Sequence, residues 1–218
     1  MAQTQPKLMP FACEICILAG GLSRRMGCDK TRVRLGKITM LGQVRAAAAA
    51  TGLPVRIIRR DRVRRCGPIG GVYTALASTS STAILFLACD MPFVSSELMR
   101  RLIKDFQASG KPLFVHSGPN HSPGFPFVLP KGSLEAVSGQ IRRCEFSLGA
   151  LAKLVHAKTA RLPRSLARQL TNINEPKDLE SARKQLEHPT SNFEHPILNR
   201  RPGKDSARPS TSKLDVRS

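Results

Sequence analysis

The sequence predicts an α/β fold with a mostly parallel sheet and helices on both faces, giving three layers in the order α/β/α. Short apolar runs of strand length, such as residues 15–19 and 82–88, alternate with longer segments of helical pattern. This alternation is typical of parallel sheets built with right-handed crossovers. The run at 82–88 is apolar at almost every position, as expected for a central strand buried on both faces.

Turn and capping residues set the order of the elements. Strands are predicted at residues 15–19, 54–59, 82–88, 113–116 and 125–129. Helices are predicted at residues 39–50, 72–77 and 147–156. Others are predicted between Ser95 or Ser96 and Gly110, from Ser133 onward, and after Asn174. Gly52 and Gly110 suit helix ends, Ser95 or Ser96 an N-cap, and Pro176 a first turn. The segment 67–71 (Gly-Pro-Ile-Gly-Gly) is predicted to be a turn that leads into the short helix.

Length and composition predict one domain. A chain of 218 residues suits a single core, which we place at residues 13–186, after an N-terminal arm at 1–12. Residues 187–218 are polar and rich in Pro and Ser, which predicts a disordered tail. The net charge is +20, but apart from residues 56–65 the cations are spread, and no aromatic platform accompanies them. This favours polyanionic substrates over nucleic acid.

The cysteines and the apolar runs indicate a cytoplasmic protein. Cys13 and Cys16 form a Cys-x-x-Cys, but the pair leads into a strand rather than opening a helix, as a redox motif would. No second pair completes a zinc site. We therefore expect reduced cysteines. No run reaches the length of a membrane span, and no cleavable signal is predicted.

The most informative segment runs from Ile15 to Lys30. An apolar strand ends at Gly20-Gly21, and the loop that follows carries Arg24, Arg25 and Lys30. Backbone N–H groups of such a loop, with cations beside them, are suited to a polyphosphate. The glycine spacing does not match the dinucleotide fingerprint, and Lys30 does not follow the P-loop pattern.

The motif Leu18-Ala-Gly-Gly-x-Ser-x-Arg-Met-Gly-x-Asp-Lys30 resembles the signature loop of nucleotidyltransferases that attach a nucleotide to molybdenum cofactor. Its Ala-Gly-Gly form is closer to the guanylyltransferase branch than to the cytidylyltransferase branch. The resemblance implies a Rossmann-like sheet of the nucleotide-diphospho-sugar transferase type. It also implies that Lys30 and Arg25 are catalytic, acting on the phosphates, and that the nucleotide is bound by Leu18, Ala19, Gly20, Gly21 and Lys30.

Two further motifs suggest a magnesium site. Asp90 follows a buried strand in Ala-Cys-Asp-Met-Pro, which resembles the family's Cys-Asp-x-Pro, whose Asp binds magnesium and nucleotide and serves catalysis. The alternative is an Asp that caps a turn before Pro92. The stretch 172–179 resembles the family's Asn-x-Asn-Thr-Pro-Glu-Asp-Leu, which implies that Asn174 is a second metal ligand or borders the acceptor. The alternative is that Asn174 is the N-cap of the last helix.

Asp61 lies six residues before Gly67, where the family has an Asp that contacts the nucleotide. The alternative is a surface ion pair with a neighbouring arginine, worth only ~0–1 kcal/mol. Two features depart from the family. The segment between the first helix and Gly67 is short and lacks the Asn that helps to read the base. The acceptor-side stretch 116–127 keeps a Pro-Phe but lacks an Arg before it.

Together these residues predict an enzyme that transfers GMP from GTP to the phosphate of molybdopterin, with Mg²⁺ and release of pyrophosphate. The resemblance also implies transient contact with other enzymes of molybdenum cofactor biosynthesis or with acceptor enzymes. Three alternatives stay open. One is a cytidylyltransferase that uses CTP, the second a regulatory protein that binds nucleotide without turnover, and the third a nucleic-acid-binding protein suggested by charge alone.

Overall fold

A computed structural model describes residues 11–20, 32–63, 65–117 and 122–187 of the chain. Its strands are β1 (Cys13–Leu18), β2 (Arg34–Leu35), β3 (Ile38–Thr39), β4 (Val55–Ile58), β5 (Ala83–Ala88), β6 (Leu113–Ser117), β7 (Ser122–Pro130) and β8 (Lys158–Thr159). Its helices are α1 (Met40–Ala49), α2 (Gly67–Leu76), α3 (Ser96–Ser109), α4 (Leu134–Arg142), α5 (Leu148–Leu154), α6 (Arg164–Ala167) and α7 (Pro176–Glu187). β2 and β3 form a hairpin before α1.

The central sheet has six strands in the order β4-β1-β5-β7-β6-β8. β1 pairs in parallel with β4 and β5, and β6 pairs in parallel with β8. β7 runs antiparallel to both of its neighbours. The predicted mostly parallel sheet is therefore confirmed. Strands β4, β1, β5, β6 and β8 all end at the same edge of the sheet, called the carboxyl edge below, and the β6–β7 connection lies there too.

Helices cover both faces of this sheet, which confirms the three-layer arrangement. Ile15 and Ile17 of β1 face a cluster that includes the apolar sides of α1 and α3. Cys16 and Leu18 face the opposite cluster, which includes the apolar sides of α2, α4 and α5. This alternation along one strand is the two-residue period expected of a strand covered on both faces.

The structure changes three details of the predicted organisation. α2 begins at Gly67, so the segment 67–71 is the first part of the helix rather than a turn before it. Proline is well tolerated in a first turn, where its missing N–H has no partner to lose. α7 includes Glu187, one residue past the predicted boundary. The short elements β2, β3, β8 and α6 were not predicted, because two to four residues show no periodicity.

Cys13 and Cys16 are free and buried. Burial raises the pKa of Cys13 to about 11 and that of Cys16 to about 12, so both remain thiols at neutral pH. This agrees with the expected reduced core residues. Within the described part of the chain, no helix is both long and apolar enough to cross a membrane. Residues 1–10 of the predicted arm and 188–218 of the predicted tail lie outside the described residues.

Candidate active site

Backbone hydrogen bonds tie the ends of β4, β1 and β5 together at the carboxyl edge. Leu18, the last residue of β1, is in register with Ile58 of β4 and Ala88 of β5. Beyond it, the Ala19 N–H donates to the Ile58 carbonyl at 2.8 Å, and the Cys89 N–H donates to the Leu18 carbonyl at 3.2 Å. The segments that leave the three strands therefore start side by side.

The glycine turn starts at the centre of this edge. Leu18 is buried, Ala19 is half-buried and Gly20 is exposed. A Cβ at position 20 would lie 3.2 Å from the Arg59 carbonyl oxygen, so the turn passes close to the loop that follows β4. Gly21, Arg25 and Lys30, the other residues predicted for this loop, lie outside the described residues.

Asp61 in that loop is surrounded by three glycines, Gly20, Gly70 and Gly71, which we call the glycine cradle. A Cβ at position 70 would lie 3.0 Å from Asp61 Oδ2 and 2.9 Å from the Val63 carbonyl oxygen. Cβ positions at 71 and 20 would lie 3.4 and 3.6 Å from Asp61 Oδ1. The carboxylate occupies space that side chains at these positions would take, and Gly70 has the least room of the three.

Burial in the cradle raises the pKa of Asp61 above its ordinary value, because the charged carboxylate is partly removed from water. Within residues 32–63 and 65–117, no donor forms a hydrogen bond or ion pair with it. Arg59, Arg60 and Arg62 therefore do not supply the surface ion pair that was the alternative for this residue, and Arg64, the fourth arginine of that alternative, lies outside the described residues. The carboxylate is a hydrogen-bond acceptor that a ligand's donors can satisfy.

Thr74 of α2 connects this loop to the helix, and the sequence reasoning missed it. The Arg62 N–H donates to Thr74 Oγ1 at 2.9 Å, and the Thr74 hydroxyl donates to the Gly70 carbonyl at 2.8 Å. A threonine four residues after a glycine in a helix signals the second bond, since Ser and Thr commonly donate to the carbonyl four residues back. Nothing in the sequence points to the first bond, which depends on the path of the loop.

Asp90 lies at the same edge, two residues after the end of β5. The Cys89 N–H before it donates to Leu18, and its own carbonyl accepts from the Ile173 N–H at 2.9 Å. Met91 and Phe93 after it are buried. The backbone of Asp90 is therefore held between the end of β1 and the segment that precedes α7.

Asn174 is next to the residue that makes this contact. Ile173 is fully buried in a small cluster with Phe93, and the carboxylate of Asp178 accepts from the N–H groups of Asn174 and Glu175, each at 2.9 Å. Because α7 begins at Pro176, the N-cap position falls on Glu175. Asn174 therefore follows the residue that is hydrogen-bonded to Asp90 and lies one residue before the N-cap position.

A carboxylate and an amide oxygen are hard donors of the kind that Mg²⁺ prefers. Among the described residues there is no group of three or more His, Cys, Asp or Glu side chains that could hold a metal. Mg²⁺ usually binds through one or two carboxylates and the phosphates of a substrate. The residues present at Asp90 and Asn174 fit such an ion.

The predicted acceptor-side stretch, residues 116–127, reaches the carboxyl edge from the other half of the sheet. β6 ends there at Ser117, and β7 starts there at Ser122. His116 is half-buried, with Nε2 3.1 Å from the hydroxyl of Thr159. Residues 118–121 lie outside the described residues. The edge therefore carries the glycine turn, Asp61, Asp90 and Asn174 on one side and this stretch on the other.

Comparison with known proteins gives a consistent result. Residues 15–187 match the family described as the MobA-like NTP transferase domain. A probable molybdenum cofactor guanylyltransferase from Opitutus terrae is 31% identical over 193 residues, which cover 77% of this chain and 93% of that protein. Another, from Pelotomaculum thermopropionicum, is 29% identical over 192 residues, covering 79% and 92%.

Solved structures support the fold. Molybdopterin-guanine dinucleotide biosynthesis protein A from Archaeoglobus fulgidus superposes with a TM-score of 0.65 at 20% identity, covering 80% of this chain and 98% of that one. A 2-C-methyl-D-erythritol 4-phosphate cytidylyltransferase from Thermus thermophilus gives a TM-score of 0.57 at 18% identity, covering 83% and 100%. The second protein uses the same fold with a different nucleotide, so fold alone does not select the base.

Proposed function

The chain belongs to the family of MobA-like NTP transferases and is a nucleotidyltransferase, and we propose that it transfers GMP from GTP to the terminal phosphate of molybdopterin. A phosphate oxygen of the acceptor attacks the α-phosphorus of GTP. The bond between that phosphorus and the oxygen bridging to the β-phosphate breaks, and pyrophosphate leaves. The curated relatives that carry the guanylyltransferase name support the choice of reaction.

The observation that carries the proposal is the convergence of Gly20, Asp61, Asp90 and Asn174 at one edge of the sheet. Gly20 contacts the loop of Asp61, the end of β1 is bonded to Cys89, and Asp90 is bonded to Ile173. Four segments that are distant in sequence are thus joined by direct contacts. In α/β sheets this edge is where ligands bind.

The reaction brings polyanionic groups together, so the site has to offset their repulsion. We assign Asp90 and Asn174 to hold Mg²⁺, which when bound would neutralise charge on the phosphates. The backbone of Leu18, Ala19, Gly20 and Gly21 would lie along the nucleotide. Lys30 and Arg25 would supply fixed positive charge to the phosphates, as their family positions imply.

Asp61 is our candidate for contact with the nucleoside. Its carboxylate accepts no hydrogen bond from the described residues, and a guanosine offers it donors at the ribose hydroxyls and at the N1–H and N2–H of the base. The family's base-reading Asn has no counterpart in the short segment before Gly67, so the loop after β4 is left to select guanine. The cytidylyltransferase alternative differs from our proposal at this step alone.

Titration calorimetry with GTP, CTP and ATP, with Mg²⁺ and with EDTA, tests the proposal. We expect GTP to bind at least about tenfold more tightly than the other two, a difference of about 1.4 kcal/mol, and only with Mg²⁺. Equal affinities would remove the guanylyl assignment, and tighter CTP would support the cytidylyl alternative. GTP binding without pyrophosphate release in the presence of molybdopterin would favour the regulatory alternative.

A further inference from the structure

We infer that Thr74 is a positioning residue that holds the Asp61 carboxylate where the nucleotide is bound. The inference rests on the proposed function, because it assumes that Asp61 contacts the nucleotide. Thr74 itself is buried in α2. Its effect passes through the backbone of Arg62, the residue directly after Asp61.

The Thr74 hydroxyl is used as both acceptor and donor. It accepts from the Arg62 N–H at 2.9 Å and donates to the Gly70 carbonyl at 2.8 Å. Because the hydroxyl hydrogen is committed to Gly70, the oxygen lone pairs face the loop. The group therefore fixes the distance between the loop and the first turns of α2.

This bond is the main restraint on the loop. In the described part of the chain, the Arg62–Thr74 hydrogen bond is the only one that residues 59–63 form. The next restraint upstream is the Ala19–Ile58 bond at the end of β4. The five residues 59–63, which include Asp61, thus depend on one side-chain hydroxyl for their hydrogen bonding to the helix.

The cradle explains why this attachment needs to be accurate. Gly70 accepts from Thr74, and a Cβ on the same residue would lie 3.0 Å from Asp61 Oδ2. Gly70 therefore lies next to both the Thr74 hydroxyl, which holds the loop, and the Asp61 carboxylate, which the loop carries. Without the hydroxyl, no other hydrogen bond among the described residues keeps the carboxylate at this distance from α2.

The experiment measures the dissociation constant for GTP with Mg²⁺ by calorimetry, and Tm, for Thr74→Val, Thr74→Ala and Thr74→Ser. Valine keeps the branched shape without the hydroxyl, alanine serves if the valine variant does not fold, and serine keeps the hydroxyl. We expect about fivefold weaker GTP binding for valine or alanine, matching the ~1 kcal/mol of one net hydrogen bond, and less than about twofold for serine.

Two controls separate positioning from general stability. Thr79 is also buried and accepts from the Ser81 N–H at 3.0 Å, but it lies before β5 at the opposite edge of the sheet. Thr79→Val should lower Tm without changing GTP affinity. In an Asp61→Asn background, Thr74→Val should weaken GTP binding no further, because its effect is transmitted through Asp61.

Several results would overturn the inference. An unchanged GTP affinity in both Thr74→Val and Thr74→Ala would do so, as would the same fivefold loss in the presence and absence of the Asp61 carboxylate. If Thr74→Val caused the same loss with and without the Asp61 carboxylate, while Asp61→Asn alone still weakened GTP binding, the proposed function would stand and only the positioning role would fail. If Asp61→Asn bound GTP like the wild type, the proposed nucleotide contact would fail, and the positioning role with it.

Discussion

The two halves of the sheet hold their ends of the site in different ways. In the half made of β4, β1 and β5, the functional edge is fixed by backbone hydrogen bonds and by glycines that let segments approach closely. In the half made of β7, β6 and β8, the β6–β7 ladder reaches this edge at the pair Ser117–Ser122, after a register shift between Phe114 and Val115. A side-chain hydrogen bond joins His116 to Thr159 there.

The strands of the second half are also held together by aromatic rings inside the core. Phe86, Phe127 and Phe114 lie opposite one another on β5, β7 and β6. Their rings stack, with centroids 4.9 Å apart for Phe86–Phe127 and 4.5 Å apart for Phe127–Phe114. These buried rings hold three strands together on the face covered by α2, α4 and α5.

This contrast follows from what each half is proposed to bind. The phosphates and the metal require donors at fixed positions, so close backbone packing is suited to the first half. The acceptor side can vary as long as its strands stay in place. Substitutions in the first half should therefore change nucleotide binding and turnover, whereas substitutions in the second should mainly change stability.

The largest effect is expected at Asp90, in the first half. Asp90→Asn removes the carboxylate proposed to hold Mg²⁺ but keeps the shape of the side chain. We expect kcat to fall by about a hundredfold or more, in the range found when a preorganised electrostatic group is lost, with Tm little changed. Steady-state kinetics across a Mg²⁺ titration measures it. Turnover near that of the wild type at saturating Mg²⁺ would show that Asp90 is not the metal ligand.

Most of this half could be predicted from the sequence. The apolar run before Gly20 and the strand before Asp90 place both residues at one edge, because parallel strands share their carboxyl ends. The prediction was limited because sequence patterns report only on residues that are close together in the chain. The cradle around Asp61 and the bond from Arg62 to Thr74 depend on the path of a loop, and no residue pattern encodes that path.

In the second half, the sequence predicted strands at 113–116 and 125–129 but not their directions. Apolar alternation is the same in a parallel and an antiparallel strand, so the reversal of β7 was not visible. β8 was missed because two residues are too few for a pattern. The ring stack was likewise not visible, since it depends on the register of three strands.

The next effect is expected at Asp61, and it has opposite signs for binding and stability. Asp61→Asn should weaken GTP binding by about tenfold to a hundredfold, as for a lost hydrogen bond to a charged group. It should also raise Tm at pH 7, because a charged carboxylate in a partly buried position destabilises the folded wild type. Calorimetry and thermal unfolding measure the two effects.

The pH dependence gives this prediction a sign that can be checked. Burial raises the pKa of Asp61 above the ordinary 3.8, so the folded state binds the proton more tightly than the unfolded state does. Wild-type stability is therefore lost as pH rises from about that ordinary value through the raised pKa. The Tm advantage of Asp61→Asn should grow over that interval and level off above it. A constant difference across it would mean that the burial of the carboxylate has no energetic consequence.

A third, smaller effect is expected in the ring stack of the second half. Phe127→Leu should lower the free energy of unfolding by about 1–2 kcal/mol, through lost ring contacts and imperfect filling of the core. We expect the GTP dissociation constant to stay within about twofold of wild type, since Phe127 lies in the other half. Denaturant unfolding and calorimetry on the same preparation make the comparison. Weaker GTP binding in a folded variant would show that the two halves are coupled through β5.

The smallest effect is expected at His116, at the edge of the second half. Its hydrogen bond to Thr159 joins exposed side-chain atoms, and such bonds add little because water replaces them. His116→Ala should therefore change the free energy of unfolding by about 0.5 kcal/mol or less and leave GTP affinity unchanged. The informative measurement is KM for molybdopterin, because His116 begins the stretch that we assign to the acceptor. A raised KM for molybdopterin with an unchanged KM for GTP would place the acceptor at this edge. A raised KM for GTP with an unchanged KM for molybdopterin would show that our proposal assigns the nucleotide to the wrong half of the sheet.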